Sequence, residues 1–311
     1  MNSIVVNSTL NVRVYDNRSI SDFQYYICTE SSSYSKQLVR LISKQTLIRA
    51  GETDPGIYAM SYNSARDELF LADRRNKVVR AMHLRGNAGY LLDVYRGTQH
   101  DTSPSISSVC HMSDTDTLLV GSCEYGPDMK LANWLVALIR NGSEWREAQR
   151  VQTDQIGISC AVSDSRVLLG SWDSTNMELF RMESGPQIAR VHRIHVLEKY
   201  YWFSATCGSD TLVAMRYEDM SVRVHRLRDD RLEELARTQL KRPGDLLWLE
   251  NRLLVVDGDR NSNTILELEV RGIRLERRRE LIKDVKLNRF CAMDDLLIIW
   301  DGQDLLHYSI A

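Results

Sequence analysis

The chain is poor in the features that assign a protein to a compartment or a chemistry at sight. No apolar run approaches the roughly 18 residues that a membrane-crossing helix needs; the longest stretches, such as Trp134 to Ile139 and Leu296 to Trp300, are short. The start, MNSIVVNSTL, has no positive opening followed by an apolar stretch and a small-residue cleavage site, so it does not read as a secretory signal. An excess of one charge is also missing. Lys and Arg number 40 against 42 Asp and Glu, which leaves no global basic field for nucleic acid or an anionic membrane. Cysteines are sparse (Cys28, Cys110, Cys123, Cys160, Cys207, Cys291), with no C-x-x-C pair beside a second pair or a His. They read as reduced thiols packed as small apolar residues. Nucleophile and phosphate-loop motifs (G-x-S-x-G, H-E-x-x-H, a Gly-rich loop) are absent. The expectation is a soluble intracellular chain, cytoplasmic or nuclear, with no membrane contact and no cofactor.

What is present is a repeat. With 43% apolar residues in 311 the chain can bury a sizeable core, and one pattern recurs along it: a short apolar run, a polar turn, then a run alternating apolar and polar. This is a β-hairpin. Copies begin at Tyr25 (YYICTESSSYSKQLVRLI), Leu69 (LFLADRRNKVVRAMHL), Leu118, Val167 (VLLGSWDSTNMELFRM), Leu212, Leu253 and Leu296 (LLIIWDGQDLLHYSI), with successive starts 41 to 49 residues apart. That spacing matches units of four strands. A weaker apolar segment precedes most copies (IYAMSYN, ISSVCHMS, ISCAVS, FSATCGS, LLWLEN, RFCAMDD) and a charged segment follows most (GYLLDVYRG, EWREAQRV, QIARVHRI, RLEELARTQL, IRLERRREL). The first suits an inner strand crowded at an axis, where small residues and thiols fit. The second suits a solvent-facing outer strand whose charges discourage edge pairing.

These hairpins resemble those of β-propellers of the WD40 and NHL type: Leu69 to Leu84 is similar to the NHL hairpin, and Val167 to Met182 and Leu296 to Ile310 to the WD40 hairpin with its Asp-containing turn. The sequence departs from both families in having no repeated G-H dipeptide and no W-D at the end of the third strands. The resemblance implies an all-β fold, a single β-propeller over residues 1–311, and a bias towards scaffolding; it carries over no functional residue. Seven blades are expected from the seven hairpins, with six as the alternative because residues 1–51 are the least regular. The spare strand SIVVNST is expected to pair into the last blade and close the ring.

Acidic residues stand at the ends of the second strands: Asp73, Glu124, Asp173, Glu218, Asp219, Asp257, Asp259 and Asp301. Converging carboxylates could hold Ca²⁺, as in propellers resembling lactonases, but Asp in a tight turn also hydrogen-bonds its own backbone. Turn chemistry is the expected role, and the metal-dependent hydrolase is the alternative function. His192 and His195 are the only close histidines, and in a strand their spacing sends them to opposite faces. The basic stretch Arg271 to Arg289 is interleaved with Glu276, Glu280 and Asp284 and has no stacking aromatics, so nucleic acid is disfavoured there.

Two segments suit a partner. His195, Tyr200, Tyr201 and Trp202 cluster where the chain crosses from one outer strand to the next inner strand, and Tyr and Trp are enriched in interface hot spots. Tyr125 and Asp128 lie in an unusually long hairpin loop containing Gly126 and Pro127. The expected function is non-enzymatic: a disc, monomeric on its own, that binds a protein or peptide through its loop face within a larger complex.

Overall fold

A computed structural model describes residues 40–46, 55–84, 91–97, 105–125, 131–155, 159–163, 165–171, 174–183, 187–205, 211–229, 231–249, 252–259, 262–293 and 296–310. Every regular element among them is a β-strand. Strand β1 (Arg40–Thr46) stands apart from its sequence neighbours. Strands β2 (Ile57–Asn63), β3 (Glu68–Asp73), β4 (Val78–His83) and β5 (Leu92–Arg96) pair in that order, as do β6 (Ser105–Met112), β7 (Thr117–Tyr125), β8 (Leu131–Asn141) and β9 (Glu144–Thr153). Next come β10 (Ser159–Ser163), β11 (Arg166–Gly170), β12 (Ser174–Met182) and the first part of β13 (Ile188–Ala205). The second part of β13 pairs with β14 (Leu212–Tyr217), which leads to β15 (Ser221–Arg228) and β16 (Arg231–Gln239). Strands β17 (Pro243–Leu249), β18 (Arg252–Asp259), β19 (Ser262–Arg271) and β20 (Arg274–Val285) follow, and a single parallel bridge between Arg237 and Arg274 joins β16 to β20. Last are β21 (Arg289–Met293), β22 (Leu296–Trp300) and β23 (Asp304–Ser309), whose outer neighbour is β1.

Among the described residues the pairings thus make six sets of four strands. The first strand of each set lies against the first of the next, from β2 through β6, β10, β13 and β17 to β21, and β21 lies against β2. The hairpin starting at Tyr25 falls outside the described residues except for 40–42, which open β1. The segment SIVVNST also falls outside them.

The apolar runs of the second strands follow from this packing. When both faces of a sheet are covered, successive residues must both be apolar although they point opposite ways. In β3, Phe70 and Ala72 pack with Ile106, Val109, Leu118 and Val120 of the next set, whereas Leu69 and Leu71 pack with Cys291, Ile298 and Trp300 of the β21–β23 set. In β18, Leu253 and Val255 face Val222 and Val224, whereas Leu254 and Val256 face Leu297 and Ile299. The core is therefore a series of layers between neighbouring sheets.

Several third strands bury a charge in this apolar setting and pair it with the outer strand. Arg80 of β4 meets Asp93 of β5 at 3.3 Å, Glu178 of β12 meets Arg190 of β13 at 3.1 Å, and Glu267 of β19 meets Arg279 of β20 at 2.8 Å. Arg80, Glu178 and Glu267 are all buried. Such pairs tie the exposed fourth strand to a buried charge of the third, a charge that needs its partners to offset the cost of desolvation.

Candidate binding face

One face of the molecule carries the turns between second and third strands and the crossings into the next inner strand. Carboxylates hold it together. Asp73 accepts hydrogen bonds from Gly56 N (3.0 Å) and Asn76 N (3.1 Å) and meets Arg80 Nη1 at 3.1 Å. Asp257 accepts from Arg242 N at 2.7 Å, Asp219 from Ser221 N at 2.9 Å, and Asp301 from Gln303 N and Asp304 N at 2.8 and 2.7 Å. These bonds join the end of a second strand to its own turn or to the start of the inner strand beside it, the Asx chemistry expected of turn aspartates. Glu124 is buried against Tyr95 Oη (2.5 Å) and Arg150 (3.1 Å). Among the described residues no three His, Cys, Asp or Glu side chains converge as a metal set.

At the centre of this face the inner strands bring cations and aromatics together. The Arg289 guanidinium lies 4.7 Å from the ring centre of Tyr58 and 4.8 Å from that of Trp202, donates from Nε to Tyr58 O at 2.6 Å, and meets Asp245 at 3.3 Å. Arg74 also covers Tyr58, at 5.0 Å. Arg216 lies 5.4 Å from the Tyr201 ring. Burial pushes the Asp245 carboxyl above the usual range, with Arg289 and Arg216 pulling the other way.

Further out, β13 crosses from one set to the next, and here the structure distributes the residues that the sequence groups. Tyr200 is a core residue, 1% exposed, its hydroxyl donating to Asn176 O at 2.8 Å and its ring edge-on to Phe203. Tyr201 and Trp202 are half-buried, and His195 is exposed with Nδ1 3.2 Å from Asn176 Oδ1. His195 and, in part, Tyr201 are open to solvent, whereas Tyr200, expected at the surface, is closed off inside the core. Tyr125 ends β7 with its backbone opposite Leu131; its side chain, and Asp128, lie outside the described residues.

Two residues passed over in the sequence stand out here. Leu197 is 93% exposed, and Met220, in the β14–β15 turn, is 38% exposed. The segment between them is braced: Arg223 grips Glu198 with both amines (2.8 and 2.9 Å) and Asp219 at 2.9 Å, while its guanidinium covers the Tyr217 ring at 4.2 Å. The available signal was phase: Ile194, Val196 and Tyr200 take the buried positions, which leaves Leu197 an apolar residue facing out.

The opposite face holds a tighter polar network. His111 Nε2 lies 3.0 Å from Asp116 and 3.2 Å from Asn63 Nδ2, its ring stacks on Phe70, and Arg140 pairs with Glu68. Burial lowers the His111 pKa. The basic stretch runs from the end of β19 (Arg271) along β20 to the start of β21 (Arg289), with Arg278 and Arg279 on Glu267 and Arg277 and Lys283 on Glu280. These pairs offset the charge of the four residues on β20 that they involve. No helix among the described residues is long and apolar enough to cross a membrane.

No protein-family model matches the chain, and no curated protein matches it in sequence. Solved structures match by shape. A chain in the crystal structure of the mitotic checkpoint complex superposes with TM-score 0.57 at 10% identity, over 92% of this chain and 100% of that one. The PQQ-bound aldose sugar dehydrogenase of Streptomyces coelicolor gives 0.57 at 8% identity, over 87% and 97%. A putative oxidoreductase (glucose dehydrogenase) of Thermus thermophilus gives 0.55 at 10%, over 86% and 99%. Likeness at such identities speaks for fold alone, and one fold hosts many functions. The chain accordingly has a β-propeller-like fold.

Proposed function

We propose that this protein is a non-catalytic binding module: a six-bladed disc, closed by β1 on β23, that takes a protein segment on the face where β13 crosses between blades. The observation that carries the reading is Leu197, an apolar side chain 93% exposed beside Glu198, which Arg223 ties to Asp219 of the turn that carries Met220. An apolar side chain open to water adds nothing to the buried core, and it fits the apolar centre of a contact rimmed by polar groups. His195, two residues before it on β13, supplies a polar contact beside it, and Tyr201 and Trp202, further along the same strand towards the axis, extend the contact with aromatic rings. The acidic turns support the same reading, because the carboxylates that an ion would need are already bonded to backbone amides and arginines.

The test uses a photo-crosslinking residue in place of Leu197, with a second protein carrying it in place of Ile273, an 81% exposed residue in the β19–β20 turn of the other face. In native extract, position 197 should give one discrete adduct that excess wild-type protein competes away and a Met220→Asp variant does not. Equal labelling at both positions, or no adduct at 197, removes the proposal.

A further inference from the structure

Where the inner strands open onto the binding face, three arginines lie against aromatic rings around one carboxylate. Arg289, at the start of β21, lies on Tyr58 of β2 and Trp202 of β13, and its Nη1 meets Asp245 of β17. Arg216, near the end of β14, pairs across the sheet with Trp202 and lies 5.4 Å from the Tyr201 ring centre. Arg74, in the turn between β3 and β4, covers Tyr58. None of these groups is closed off from solvent. Arg74 is exposed, and Arg216, Arg289, Tyr58, Tyr201 and Trp202 are half-buried.

The charges of this cluster do not balance. Asp245 is shared, pairing with Arg289 at 3.3 Å and also acting on Arg216, which feels the like charge of Arg242 as well. Among the described residues Arg216 has no ion pair; its Nε is enclosed without a hydrogen-bond partner, and its two amines, which are not enclosed, carry no hydrogen bond either. Arg74 has no ion pair in the same set. Arg289 donates from Nε to Tyr58 O and from Nη1 to Asn288 O and Asp245, which leaves its Nη2 without a hydrogen bond. The turn carboxylates of this face are bonded elsewhere: Asp73 to Gly56 N, Asn76 and Arg80, and Asp257 to the amides of Lys241 and Arg242. Burial raises the pKa of Asp245 and lowers that of Arg216, so a partly desolvated cation faces a carboxyl that is itself costly to ionise. A guanidinium resting on a ring keeps the N–H groups at its edge for an oxygen acceptor, and an incoming anion relieves the cost of leaving it under-paired.

We propose that this cluster is an oxyanion site: a carboxylate or phosphate group, free or carried on a peptide, accepts hydrogen bonds from the amines of Arg216 and from Nη2 of Arg289 and meets the charge of Arg74. The site is built without Leu197, so it stands or falls independently of the partner reading.

Isothermal titration of the full chain at constant ionic strength tests it with inorganic phosphate, succinate, and capped glycine peptides carrying a central phosphoserine, aspartate or serine. At least one of the anions should bind saturably with a Kd of about 1 mM or tighter, and the serine peptide should not bind measurably. Tighter binding of the charged peptides than of the free anions identifies a peptide-borne group, and the reverse a free one. Arg216→Gln should weaken the best anion about tenfold, and Arg74→Gln about threefold. Because Arg74 is exposed and without an ion pair among the described residues, its variant should keep the wild-type melting temperature. Asp245→Asn removes the competing carboxylate and should strengthen binding about tenfold, a gain that structural damage does not produce. No saturable binding of any of the anions, equal binding of the serine peptide, unchanged affinity in both arginine variants, or weaker binding in Asp245→Asn would overturn the proposal.

Discussion

Single residues here show how a mostly apolar interior tolerates ionisable groups. Three histidines, His111, His225 and His307, sit largely out of solvent, and burial lowers the pKa of each, that of His225 to about 4. His225 Nε2 lies 2.9 Å from Tyr217 Oη, and Arg223 disfavours its protonated form further. A folded-state pKa below the unfolded value of about 6.5 means that the unfolded chain binds more protons as the pH falls. The stability contributed by a neutral histidine is thus complete above about pH 6.5 and is lost as the pH drops towards 4. Urea unfolding should show stability level near pH 7 and declining below it, with His225 alone accounting for about 3 kcal/mol by pH 4. The same series on His225→Gln should have a shallower slope between these values. A slope identical to wild type would show that His225 is not the titrating group.

At the scale of the element, the inner strands were legible in the sequence because their segments are bounded by the repeat: IYAMSYN is β2 residue for residue, and RFCAM opens RFCAMDD as β21. The continuity of β13 was not legible. Eighteen residues serve as outer strand in one sheet and inner strand in the next, because Tyr200 finds both Ser174 of β12 and Tyr217 of β14 as partners. Gly170, at the end of β11, makes room for this. A Cβ there would run into the Tyr200 hydroxyl and stand 2.9 Å from Phe203 Cε1. Gly170→Ala should therefore cost about 2 kcal/mol in urea unfolding, the ordinary range for overpacking a core. Tyr200→Phe removes the offending hydroxyl, so the double variant should recover part of that loss. Strict additivity of the two changes would mean that the alanine is accommodated elsewhere.

For the whole molecule, the decisive contact is long-range: β1 supplies the outer strand of the sheet that the chain completes with β23, pairing Arg40 with Ser309 and Thr46 with Asp304. Without it β23 becomes an exposed edge, a template for pairing with other chains. A chain starting at residue 47 should lose its single cooperative unfolding transition and elute as aggregates in size-exclusion chromatography. A monomer with wild-type stability would show that closure does not depend on β1. The same scale explains the candidate site. Arg289, Asp245, Trp202 and Tyr58 lie on four different inner strands, so no window of sequence contains the cluster and only their meeting at the axis creates it.

By itself the sequence determined the strand content, the hairpin turns and the four-strand repeat, because these depend on contacts between residues close in the chain: alternation, turn aspartates and the spacing of apolar runs. It also marked the β13 crossing as a surface of interest through its aromatics. Tertiary structure alone decided that Tyr200 is interior while Leu197 faces water, that the acidic turns are bonded to amides and arginines, and that arginines gather on aromatic rings at the axis. The physical reason is that exposure and charge balance are properties of what packs against a residue. For Arg289 those partners, Tyr58, Trp202 and Asp245, come from other strands far away in the sequence.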